Sequence, residues 1–284
     1  MNTSAFDLFG NKIETKPLLR DKFIEPPFSI LNAASGSWQK RKRLWKKIGI
    51  QSELGRTAKT FSMEGCDFAA NQSDVSIFDP ALCEVLYKWF CPDGGLILDP
   101  FAGGSVRGIV AAYLGYKYLG IDIRDEQVKH NEIQAQAILD NHDDASWITG
   151  DSNQVLSEIE QVFDFVFSCP PYHNLEVYSD LDGDISNMSY YDFLSIYKSI
   201  INQSCSKLKK GGYACFVVGE IRDKQGNYVG FVPDTIKAFQ DAGMHFYNEC
   251  IYAQILNSAP VRANKNMKNK KLVKVHQNVL VFKK

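Results

Sequence analysis

Apolar residues in this chain come in short runs separated by longer polar, helix-forming stretches, and from about residue 75 the alternation is regular. Leu96–Asp99, Tyr116–Asp122, Ser146–Thr149, Phe163–Ser168 and Tyr213–Val218 read as strands. Ser105–Leu114, Asp125–Leu139, Ser152–Glu160 and Tyr191–Leu208 read as the helices between them. Pro233–Ala242 is predicted as a further helix, and Tyr247–Leu256 and Asn278–Phe282 as two last strands with no helix between, hence an antiparallel pair at one edge. Strands alternating with helices imply an α/β fold, a parallel sheet covered on both faces. The runs at 96–98 and 163–167 are apolar enough for its centre. Asp79-Pro80 predicts a helix start, since proline suits the first helical turn, and that helix runs to about Phe90.

The first 74 residues follow a different pattern. Pro17, Pro26 and Pro27 mark residues 1–30 as an irregular arm, and residues 38–50 suggest a short basic helix carrying Trp38, Leu44, Trp45 and Ile48. Two units are therefore expected: an N-terminal extension over 1–74 and a catalytic domain over 75–284.

Composition narrows the class. With 284 residues, 45% of them hydrophobic, the chain can bury one full core. No apolar run approaches the roughly 20 residues needed to span a bilayer. The start, Met1 to Asp7, lacks the charged-then-apolar layout of a signal peptide, so a cytoplasmic location is expected. Seven scattered cysteines with no C-x-x-C argue against a disulfide framework and against a zinc site, and no metal is expected. Net charge is −1, but its distribution is uneven. Residues 40–47 hold six basic residues in eight, and residues 262–274 hold six more with no acid. Basic patches on a neutral protein suit a polyanion bound on one face. Lys40, Arg41, Arg43, Lys46, Arg262 and Lys265 are the candidate contacts. Trp38 and Trp45 either join them, combining charge with stacking, or belong to the core.

Two segments carry candidate chemistry. Asp99-Pro100-Phe101-Ala102-Gly103-Gly104-Ser105 follows the first central strand, and the glycines let a ligand approach the backbone. Asp122, about 20 residues on, ends the next strand, where a carboxylate can accept hydrogen bonds from ribose hydroxyls. Asp151 ends the third. The turn is not G-x-G-x-x-G and no P-loop lysine follows it, which argues against a nicotinamide or nucleoside-triphosphate site. The second segment, Ser168-Cys169-Pro170-Pro171-Tyr172, ends the strand at 163–168. It offers free proline carbonyls and an aromatic face for a planar substrate. Glu220 and Arg222, after the strand at 213–218, either brace a loop as an ion pair or touch that substrate. The polar loop His173 to Asp180 is either a lid or a packed surface loop.

The first segment closely resembles the S-adenosylmethionine motif of the DNA amino-methyltransferases, which modify adenine N6 or cytosine N4. Ser168 to Tyr172 resembles their catalytic tetrad, in which a polar residue precedes Pro-Pro and an aromatic. The resemblance covers roughly residues 75–283. It implies a three-layer Rossmann-like fold with a mostly parallel seven-stranded sheet and an antiparallel edge hairpin. It implies S-adenosyl-L-methionine as cofactor, held by Asp99, Pro100, Phe101, Ala102, Gly103, Asp122, Asp151 and Ser152, and DNA as partner. Ser76 to Pro80 looks like the family element that helps close the cofactor pocket. The chain departs from the pattern at Cys169, where Asp, Asn or Ser is usual. Three roles are open to it: a serine substitute beside the Pro170 carbonyl, a bystander to Ser168, or a thiolate nucleophile for carbon-5 methylation. RNA as substrate, and a DNA-binding protein with a vestigial cofactor site, are the rival functions.

Overall fold

The computed structural model describes residues 19–50, 78–172, 183–256 and 259–284. In chain order the elements are α1 (Leu19–Phe23), β1 (Ile30–Asn32), α2 (Gly36–Lys47), α3 (Pro80–Phe90), β2 (Leu96–Asp99), α4 (Val106–Tyr113), β3 (Lys117–Asp122), α5 (Asp125–Ile138) and β4 (Ala145–Thr149). There follow α6 (Ser152–Glu158), β5 (Phe163–Ser168), α7 (Tyr190–Ser206), β6 (Leu208–Val218), α8 (Phe231–Asp241), β7 (His245–Ala253), α9 (Ala259–Lys268) and β8 (His276–Lys283). Among the described residues no helix is long and apolar enough to cross a membrane.

The strands form one sheet in the order β4-β3-β2-β5-β6-β8-β7-β1. Every pairing is parallel except those of β8, which runs against both β6 and β7. From β2 the chain moves outward through β3 and β4, then returns to lay β5 on β2's other side. The order therefore reverses between β2 and β5, and a crevice opens beyond their carboxyl ends.

Period-2 alternation divides the core between the sheet's two faces. Ile97, Phe165, Phe167, Cys215 and Val217 point to one face, which α2, α3, α4 and α5 cover. Leu98, Val166, Phe216 and Val218 point to the other, under α6, α7 and α8. Helix starts follow local chemistry. The Asp79 carboxylate accepts from Ala81 N at 2.9 Å, with Pro80 in the first turn of α3. Asp151 does the same for Asn153 N ahead of α6.

Three details differ from the sequence-based expectation, and a fourth decides between two readings left open. The sheet has eight strands rather than seven, because Ile30–Asn32, expected as irregular arm, pairs with the carboxyl end of β7. The strand expected at Tyr213–Val218 starts earlier, at Leu208, and its register against β5 shifts between Phe163 and Phe165. Residues 259–268, expected as part of a loop, form α9. Trp38 and Trp45 are core residues, 1% and 7% exposed, not stacking surfaces. Each spends its indole N–H on an acid of α3, Trp38 on Asp79 at 3.2 Å and Trp45 on Glu84 at 2.7 Å.

Asp79 thereby becomes a junction. Its Oδ2 accepts from Trp38 Nε1, from Lys42 Nζ at 3.1 Å and from Tyr252 OH at 2.6 Å, while Oδ1 caps α3. One buried carboxylate ties α2, α3 and β7, and so joins the described part of the N-terminal region to the main sheet. Removing one member of a buried charged network costs roughly 3–5 kcal/mol. Asp79→Ala is accordingly expected to lower the unfolding free energy in urea by about 3 kcal/mol, and a loss below about 0.5 kcal/mol would deny the junction that role.

Candidate active site

The Asp99 to Ser105 turn is held from below. Asp99 ends β2 fully buried, and its carboxylate is surrounded by donors. Oδ2 accepts from Arg107 Nε and from Tyr118 OH at 2.8 Å. Oδ1 accepts from Phe101 N at 3.2 Å and from Ser168 Oγ at 2.5 Å. Arg107, in the first turn of α4, reaches back with Nη2 to the carbonyls of Phe101 (2.6 Å) and Ala102 (2.7 Å). Burial alone would lower the Arg107 pKa, but the Asp99 carboxylate overcomes it and holds the guanidinium charged, above the ordinary arginine value. Burial, then the same carboxylate, pushes the Tyr118 hydroxyl pKa up, so it stays a donor.

The turn is held from the side by a closed circuit of hydrogen bonds. Gly103, at φ +51°, donates its N–H to Asp122 Oδ2 at 2.9 Å. Asp122 Oδ1 accepts from Arg124 N, also at 2.9 Å. The Arg124 guanidinium reaches Gln127 Oε1, Gln127 Nε2 reaches Asn131 Oδ1, and Asn131 Nδ2 returns to the Gly103 carbonyl at 2.8 Å. Gln127 and Asn131 are fully buried on the inward face of α5, where an ordinary amphipathic helix would place apolar side chains. Below the circuit β3 passes close under the turn. A Cβ on Gly120 would sit 2.8 Å from Ala102 Cβ, Trp147 and Tyr118, so only glycine fits there.

Both sequence segments open onto one cleft of about 540 Å³. Of the cofactor candidates, Pro100, Phe101, Gly103, Asp122, Asp151 and Ser152 line it, and Ser152 also donates to the Pro100 carbonyl at 2.5 Å. Asp99 and Ala102 lie fully buried beneath. Of the catalytic candidates, Cys169, Pro170, Pro171 and Tyr172 line the same cleft. Ser168 does not. It is fully buried and its hydroxyl is committed to Asp99, so the expectation that it contacts substrate does not fit its position. The Tyr172 ring meets Phe231 edge-on, with centroids 6.1 Å apart, and its hydroxyl accepts from Gln277 Nε2 at 2.8 Å. Gln277 Oε1 in turn accepts from Gln254.

Several wall residues carry no sequence signal: Ala33, Gln39, Lys42 and Leu82 on the side of α2 and α3, and Tyr252, Gln254 and Gln277 on the side of β7 and β8. Phe78 and Asp79, from the segment expected to help close the pocket, also line the cleft. Glu220 and Arg222 brace separate features. Glu220 Oε1 accepts from Gly230 N and Phe231 N at the start of α8. Arg222 lies over the Tyr228 ring at 4.0 Å and donates to the Gly226 carbonyl. Of the basic candidates, Lys40, Arg43 and Lys46 are exposed on α2 and Lys265 on α9, with Arg262 half-buried. Arg41 is tied to Glu84 at 2.7 Å. The expected loop at 173–180 and residues 76–77 lie outside the described residues.

The site fits an S-adenosylmethionine-like molecule in its chemistry. It combines a glycine in left-handed backbone, acceptor-only carboxylates at Asp122 and Asp151 for hydroxyl groups, and apolar walls from Ile121, Ile123, Ile185 and Phe101 for a flat ring. A family model described as DNA methylase matches residues 24–134. The match supports the DNA amino-methyltransferase family. It runs from the N-terminal wall through the cofactor turn to α5, and with it S-adenosyl-L-methionine is supported as the cofactor. No curated protein matches the sequence. Among solved structures, TrmN from Thermus thermophilus superposes with a TM-score of 0.49 at 14% identity, covering 73% of this chain and 49% of that one. This chain thus spans about half of that protein's length. Precorrin-6y C5,15-methyltransferase from Geobacter metallireducens gives 0.49 at 11% identity, with 76% and 93% covered. Magnesium protoporphyrin IX methyltransferase from Synechocystis, solved with bound SAM, gives 0.46 at 13%, with 72% and 79% covered.

Asp122 both holds the turn and faces the cleft. Asp122→Ala is expected to weaken S-adenosylmethionine binding by more than about tenfold, the scale of one lost charge-assisted hydrogen bond. Isothermal calorimetry checks this, and unchanged affinity would remove Asp122 from the cofactor site.

Proposed function

We propose that this protein methylates an exocyclic amine of a DNA base, adenine N6 or cytosine N4, using S-adenosyl-L-methionine. The observation that carries the proposal is the shared cleft: the Pro100 to Gly103 turn and the Cys169 to Tyr172 segment face one space. When bound, the cofactor supplies an electrophilic methyl group on a sulfonium. Pro100, Phe101, Gly103, Asp122, Asp151 and Ser152 are the residues assigned to hold it.

The protein's own side chains do the rest. A base amine is a weak nucleophile because its lone pair is delocalised into the ring. An acceptor on its hydrogens draws the nitrogen toward tetrahedral geometry. The Pro170 carbonyl is assigned that role, because a thiol at 169 accepts hydrogen bonds only weakly. Tyr172, steadied by Phe231 and Gln277, offers its face to a base swung out of the duplex. Alignment of amine and methyl donor in one crevice supplies much of the rate. Lys40, Arg43, Lys46, Arg262 and Lys265 are assigned to the phosphate backbone, where they fix orientation without reading sequence.

One observation favours a second reading, carbon-5 methylation with Cys169 as nucleophile: Cys169 itself lines the cleft, together with Arg107. Incubation with labelled cofactor and mixed DNA and RNA, followed by nucleoside mass spectrometry, distinguishes these products. N6-methyladenine or N4-methylcytosine in DNA is the expected outcome, and label only in RNA or only at carbon 5 would overturn the amine assignment. Tyr172→Ala is expected to cut methyl transfer at least about 100-fold while leaving cofactor affinity within about twofold. Cys169→Ser is expected to retain activity within roughly tenfold. Complete loss, with a covalent DNA adduct trapped by the wild-type protein, would favour the carbon-5 route.

A further inference from the structure

The cleft wall continues past the end of β7 into residues 254–256, held through backbone hydrogen bonds of Gln254 N to Val275 O and of Ala259 N to Leu256 O. Gln254 is bonded to Gln277 and so stands beside Tyr172. The next two residues, Ile255 and Leu256, are 42% and 56% exposed. Ile255 lines the catalytic cleft, while Leu256 lines an adjoining apolar groove of about 310 Å³ with Ala259, Met267 and Leu272. The pair thus forms the ridge between the two. Of the groove residues, Met267 and Leu272 are 60% and 73% exposed. Such a concentration of exposed large side chains marks an interaction surface.

Charge identifies the partner. The segment that carries these apolar residues also carries Arg262, Lys265, Lys268, Lys270, Lys271 and Lys274, and residues 259–275 contain no acid; Lys271 lines the groove itself. A surface both cationic and apolar suits a polyanion whose interior becomes accessible. Duplex DNA meets that description at the moment one base leaves the stack. The phosphates face the cations, and the gap left behind is walled by the faces of the neighbouring bases. Proteins that open or kink a duplex insert apolar side chains of this kind between base steps.

We propose that Ile255 and Leu256 form an apolar wedge that enters the duplex as the target base swings toward Tyr172. The wedge fills the vacated space and holds the base out, with α9 gripping the adjoining phosphates. The inference rests on the base-methylation reading. It adds the residues that meet the cost of opening the duplex, a cost that falls when the target base is already unpaired.

The test compares two short duplexes carrying a site mapped by sequencing wild-type-modified DNA. In one the target base is paired, and in the other it faces an abasic position. Leu256→Ser is expected to lose about tenfold or more in kcat/KM on the paired duplex and to stay within about twofold on the abasic one. Cofactor affinity and thermal unfolding should match wild type, since the Leu256 side chain lies outside the cleft and is already exposed. Equal losses on the two duplexes, or no loss on the paired one, would overturn the wedge. An anionic membrane surface is the competing partner for a cationic, apolar face. Phosphatidylserine vesicles that pull down wild type but not Leu256→Ser, with paired-duplex methylation unchanged, would assign the surface to lipid and overturn the wedge. Failure of the underlying reading would be visible earlier, as the absence of any mapped site, and would overturn both.

Discussion

The arrangement of the cleft depends on one buried carboxylate. Asp99 ends the central strand β2 and accepts from a guanidinium, a phenol, a serine hydroxyl and a backbone N–H. These donors come from α4, β3, β5 and the turn itself. An ionised carboxylate accepts about four hydrogen bonds and donates none, so four donors suit it. Such an assembly is weak evidence for stability, because desolvating both charges offsets much of their attraction. Its effect is geometric. Arg107 pins two carbonyls of the glycine turn, and Ser168, the residue immediately before Cys169, is pinned to the same carboxylate, so the two walls of the cleft are referenced to one group.

A second network does for the turn's flank what Asp99 does for its floor. The circuit from Asp122 through Arg124, Gln127 and Asn131 to Gly103 satisfies buried polar groups on a helix face that would otherwise be apolar. Buried polar groups are costly unless each finds a partner, and fully satisfied networks fix one arrangement. The glycine's N–H and carbonyl are both held, so the backbone facing the cleft is set before anything binds. Preorganisation of this kind lowers the cost of binding.

The cleft also depends on parts of the chain remote from either motif. Asp79 gathers α2, α3 and β7, and through it Lys42, Gln39 and Tyr252 become walls of the same space. The family match beginning at residue 24 agrees with this: α2 belongs to the same packing unit as the cofactor turn. The tryptophans of that helix face inward, and its cations face out.

Sequence alone determined the alternation of strands and helices, the start of α3 at Asp79-Pro80, and the two loops that line the cleft. Each of these rests on local rules: period-2 and period-3.6 patterning, proline's fixed φ, and glycine's freedom. Tertiary structure alone decided what long-range pairing decides. Ile30–Asn32 is too short to read as a strand until β7 lies beside it, and Trp38 is equally a stacking surface or a core residue until Asp79 is near its indole N–H. Asp99 and Ser168 look like site residues by position, yet 69 positions apart they bond to each other under the cleft and leave Cys169 and Tyr172 to line it. Gln127 and Asn131 read as a polar helix face, and only the glycine turn packed against them turns that face inward. A side chain's direction depends on which partners fold beside it, and those partners are set by the sheet order, which no local window of residues contains.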